Sequence, residues 1–144
     1  MPDILTPPSL PSTPAEVAAA VLDGIENYPG AFDMENWASL EDTPRLEPHR
    51  PPTCGTAMCA AGWTAHVTGW SLVDLPSGEE VEVFADRADG TQYLTRADVY
   101  AEKDGERRLI CDVAREALGL TDSNTFWYQG ADTALERLRE IAGR

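Results

Sequence analysis

The sequence is short of positive charge: 11 lysines and arginines stand against 25 aspartates and glutamates, with Lys103 the sole lysine, for a net charge of −14 over 144 residues. That balance excludes the basic footprint with which a nucleic-acid binder neutralises phosphates, and an anionic membrane surface would repel the chain. No apolar run approaches the roughly 18 to 20 residues of a membrane span. Residues 1–14 lack the positive start and apolar core of a signal peptide, so a cytoplasmic address is expected. Cysteine is scarce too. Cys54, Cys59 and Cys111 are an odd number, which argues against a disulfide framework. Phosphate-binding glycine loops, H-E-x-x-H, G-x-S-x-G and calcium-loop patterns are all missing.

Enough hydrophobic sequence is present, at 42%, for one domain of ordinary composition. The acid is unevenly placed. Residues 1–53 and 74–106 each carry −7, whereas 54–73 and 107–144 are neutral. Solubility is one use of such charge, and complementarity to a basic partner protein is the other.

Prolines at positions 2, 7, 8, 11 and 14 make residues 1–13 a flexible arm, leaving 14–144 as a single globular domain. Thr13, Pro14 and Glu16 supply a cap, a first-turn proline and first-turn acid, and Val17, Val21, Leu22 and Ile25 follow at helical spacing until "YPG". Asp33 is placed to cap a short helix carrying Met34 and Trp37. A helix from Ala57 to Thr68, capped by Thr56 and stopped by Gly69, is apolar almost all round and so belongs at the centre. "EEVEVFA" and "TQYLT" flank a turn and form a hairpin, although Thr95 with Asp98 could instead open a helix running to Lys103. Further helices are expected from Glu106 to Gly119 and from Asp132 to Ala142. The fold class is therefore α+β and mainly helical, with about four helices around the central apolar one and a small β-hairpin.

Three chemistries compete for "CGTAMCAAGWTAHVTGW" at 54–70. A zinc-stabilised module would use His49, Cys54, Cys59 and Cys111, because His66 lies seven residues beyond Cys59, roughly 10 Å along one helix, too far to share an ion. A thiol-dependent enzyme or redox protein would use Cys54 or Cys59 near the helix N-terminus, with only His49 available as a base. Against both stands ordinary packing, in which free cysteines and His66 are core residues. The favoured reading is a non-enzymatic protein-binding module with no cofactor. It would present the acids Glu79, Glu80 and Glu82 and the consecutive aromatics Phe126, Trp127 and Tyr128 to a partner with a basic surface. Three adjacent side chains cannot all face one core.

Phe32, Asp33, Met34 and Trp37, then "CGTAMCAAGW", then "AREALGL" at 114–120, resemble a group of small actinobacterial and actinophage proteins that share an "FDM…W…CGTxxCxAGW" core and an "A..ALGL" segment. The likeness covers less than half of the chain. It implies a phage or mobile-element accessory protein and assigns no catalytic or binding residue.

Overall fold

The computed structural model describes residues 10–40, 44–48, 50–52 and 55–144. Helix α1 (Pro14–Asn27) begins where the cap signals place it: Thr13 Oγ1 accepts from the Glu16 amide at 3.2 Å while the Glu16 carboxylate accepts from the Thr13 amide. Most of the proline-rich arm lies outside the described residues. After a single 3-10 turn (Pro29–Ala31), the segment expected to be a short helix is instead an Asx turn. Asp33 Oδ1 accepts from the Glu35 amide and Oδ2 from Asn36 Nδ2, each at 2.9 Å. An aspartate whose carboxylate takes nearby donors offers the backbone an alternative to the helix, and here it wins.

The central helix α2 (Ala60–Val67) starts three residues later than its apolar pattern suggests, because Ala57 and Met58 bridge to Ser39 and Phe32 in extended conformation. Every residue from Ala60 to His66 is buried. Its end follows the expectation, with Gly69 at φ +95°, a left-handed conformation that favours glycine. Trp63 anchors the helix, and its Nε1 donates to the Ala31 carbonyl at 3.1 Å.

A mainly helical fold with one hairpin is not what forms. The described residues contain four α-helices and a six-stranded mixed sheet: β1 (Arg45–Leu46), β2 (Ser71–Asp74), β3 (Val81–Asp86), β4 (Gln92–Ala97), β5 (Val99–Lys103) and β6 (Glu106–Arg108), in the order β1-β2-β5-β6-β3-β4. The expected hairpin is β3–β4, in register from Val81 opposite Ala97 to Asp86 opposite Gln92. It is one edge of a larger structure. Residues 99–103 pair with β2 and β6, so cross-strand bonding by Val99 and Tyr100 overrides the helix propensity of "AEK". Residues 106–108, expected as helix, pair with β5 and run parallel to β3 at Phe84 and Arg108.

Alternation along β2 divides the core. Leu72 joins the main cluster under the helices, whereas Val73 packs with Val83 and Tyr100 in a second cluster. Helix α3 (Ile110–Ala117) packs on α2, and α4 (Ala131–Ala142) packs on α1. The acidic β3–β4 hairpin is thereby left at one end of the sheet, and the loop after α3 is carried back toward the Asx turn.

Candidate functional site

Neither described cysteine has the environment of a nucleophile. Cys59 sits at the N-cap of α2, where the helix dipole favours a thiolate, yet it is 2% exposed and burial pushes its thiol above the ordinary value. Desolvation outweighs the dipole. On α3, burial and then the neighbouring Asp112 carboxylate raise Cys111 to about 11. His49 and Cys54, half of the zinc set and the remaining thiol candidate, lie outside the described residues. Among the described residues no cluster of three or more His, Cys, Asp or Glu side chains could hold a metal ion. His66 is buried with its ring edge-on to Trp63, centroids 6.0 Å apart.

The three consecutive aromatics separate. Phe126 and Trp127 are 2% and 4% exposed and belong to the main core, where their rings pack at 4.7 Å. They cannot be presented to a partner as surface groups. Tyr128 is 87% exposed, so the expected aromatic surface reduces to this one ring and whatever lies beside it.

Beside it is a cleft of about 320 Å³ lined by Met34, Glu35, Trp37, Cys59, Trp127 and Tyr128. The Trp37 and Tyr128 rings stand almost perpendicular, at 84°, with centroids 5.8 Å apart. They form two walls of a corner. The Met34 thioether is fixed by the Ala60 amide, which donates to Sδ at 3.3 Å. Three chain segments build this cleft: the Asx turn, the start of α2 and the loop before α4. Sequence reading missed Glu35 and placed Met34 and Trp37 on a helix; the signal was "DMEN", aspartate followed three residues later by asparagine, a turn pattern.

Glu79, Glu80 and Glu82 are exposed. Glu80 makes a loose ion pair with Arg96 at 3.9 Å, both side chains being about half exposed, and contacts of that kind contribute little. Next to them, Phe84 and Leu94 face each other across β3 and β4 at 39% and 55% exposure. β4 is also an edge strand, its outer side unpaired among the described residues.

The strongest charge network lies elsewhere. Asp86 accepts from Arg108 and Arg115, each at 2.8 Å, and from Gln92 Nε2 at 2.9 Å, while Asp112 Oδ2 takes the Asp86 amide at 2.9 Å. Burial alone would raise Asp86, but Gln92 and the two guanidiniums outweigh it and hold the carboxyl below its usual value. These groups pair with one another, only the buried Arg108 Nε among them lacking a hydrogen bond, and they tie α3 to the sheet, a structural task. No family model, curated protein or solved structure matches the chain.

Proposed function

We propose that this protein is a non-enzymatic binding module for a protein with a basic surface, docking at the β3–β4 hairpin. The observation that carries the reading is the exposed Phe84–Leu94 pair on an edge hairpin that also bears Glu79, Glu80 and Glu82 at its start. Edge strands are normally blunted by lysines, prolines or covering elements. β4 (QYLTRA) has one arginine and no proline or lysine, and it leaves apolar side chains beside backbone that is unpaired among the described residues. Such an edge suits addition of an extended segment, with main-chain hydrogen bonds giving affinity and the acids steering a basic partner.

The test is capture of partners from the native host by wild type and by Leu94→Glu, which keeps the acidity and removes the apolar contact. Specific partners should be lost from the variant and should dissociate as salt rises. A captured set unchanged by both Leu94→Glu and salt would remove this reading. Circular dichroism checks that the variant is folded, which the exposure of Leu94 favours.

A further inference from the structure

We propose that the Met34–Trp37–Tyr128 cleft is a binding site for a small quaternary ammonium compound, a site separate from the hairpin and independent of any protein partner. The rings supply the attraction. The perpendicular faces of Trp37 and Tyr128 form a corner, Trp127 and Cys59 line it, and Met34 adds a polarizable thioether. An aromatic face carries negative charge density, so a cation seated in the corner meets two such faces at once.

Charge selects the same class of occupant. Among the described residues Glu35 is the one charged side chain lining the cleft, and the protein as a whole carries −14. Hydrogen-bonding capacity narrows the class further. Among the described residues, the lining side chains offer as acceptors only the Glu35 carboxylate and the Tyr128 phenol: the Met34 thioether already takes the Ala60 amide, and the others are indole rings and a buried thiol. A primary ammonium is a compact, strongly hydrated charge that must give up bound water to sit against the rings, whereas a quaternary ammonium has no donor to satisfy. The volume, about 320 Å³, lies at the small end of ligand pockets and suits a small solute. Tyr128 is 87% exposed beside the cleft, and a ligand in the corner would cover part of its ring.

The experiment is titration of the full chain with choline and with its neutral isostere 3,3-dimethyl-1-butanol, followed by NMR of the indole N–H signals of Trp37 and Trp127. Choline should shift both signals saturably, and the alcohol should bind at least roughly threefold more weakly, the scale of an exposed cation–π contact. Tyr128→Ala should weaken choline by about two- to fivefold, and Glu35→Gln should weaken it and reduce its salt dependence. Equal binding of the neutral alcohol would overturn the proposal, as would shifts that do not saturate or a Tyr128→Ala variant with unchanged affinity. A trimethyllysine peptide binding more than about tenfold tighter than choline would overturn the assignment to a small solute and place the ammonium on a protein. Leu94→Glu should leave choline binding unaltered, which separates failure of this site from failure of the hairpin.

Discussion

The six-membered ring of Trp63 occupies the space that a side chain on Gly24 would need: a Cβ there would lie 2.5 Å from Trp63 Cζ3 and 2.9 Å from Cε3. Gly24 is inside α1, where replacing glycine by alanine ordinarily stabilises by up to about 1 kcal/mol. Here the neighbour is a rigid, buried indole held by its hydrogen bond to Ala31, and it has little room to retreat. Overpacking of this kind costs about 1–3 kcal/mol. Gly24→Ala is therefore expected to destabilise, against the helix rule, by a lowered urea midpoint at unchanged slope. Trp63→Phe, which shortens the ring system and removes its outermost atoms, should make the same Gly24 change less costly, with a coupling of about 1 kcal/mol in the double-mutant cycle.

The ends of α1 and α4 were legible because their signals are local. Thr13 with Glu16 marked the start of α1, and the pattern over 132–142 placed α4 to within one residue. Most of the sheet was not. β1, β2 and β6 have two, four and three residues, too few to show a period, and their partners are distant in sequence. One local signal for a strand pair does lie in the sequence. Asp104 and Gly105, at φ +52° and +82°, form the two-residue turn between β5 and β6, and Asp-Gly is a strong hairpin marker. Read that way, "VYAEKDGERR" is two strands and the helix alternative disappears.

The cleft illustrates a different limit. Three adjacent aromatics cannot all face one core, and Tyr128 is the one turned outward. Nothing local says that Tyr128 will meet Trp37, some ninety residues earlier. That contact depends on the Asx turn at Asp33, on the bridges of Phe32 and Ser39 to the approach to α2, and on the turn after Phe126, whose carbonyl accepts from the Gln129 amide. Tertiary assembly, and not periodicity, creates the site.

Acid should weaken the fold through Asp86. Its folded pKa is depressed, so its ionised form contributes stability that is complete above the unfolded value and fades as pH falls below 3.8 toward the folded one. Asp112 has the opposite sign: burial raises it, so its ionisation costs stability as pH rises past 3.8. Asp86→Asn is expected to cost about 2 kcal/mol at neutral pH, since two poorly exposed guanidiniums lose their shared carboxylate, and to flatten the acid limb of the stability curve. Asp112→Asn should cost less, because an amide oxygen still accepts from the Asp86 amide. Urea midpoints measured across the acid range decide it, and equal losses for the two variants would contradict this assignment.

The thiols yield the sharpest test of enzymatic chemistry in the described part of the chain. With Cys111 raised to about 11, only a small fraction is thiolate at neutral pH, and burial disfavours the Cys59 thiolate as well. Iodoacetamide should therefore label both residues much more slowly in the folded protein than in urea, with mass spectrometry reading each peptide separately. The Cys111 rate should climb by about tenfold per pH unit and level off only near 11. Fast labelling of Cys59 at neutral pH would mean that the dipole of α2 prevails over desolvation after all. The cleft it lines would then have to be reconsidered as a reactive site instead of a binding one.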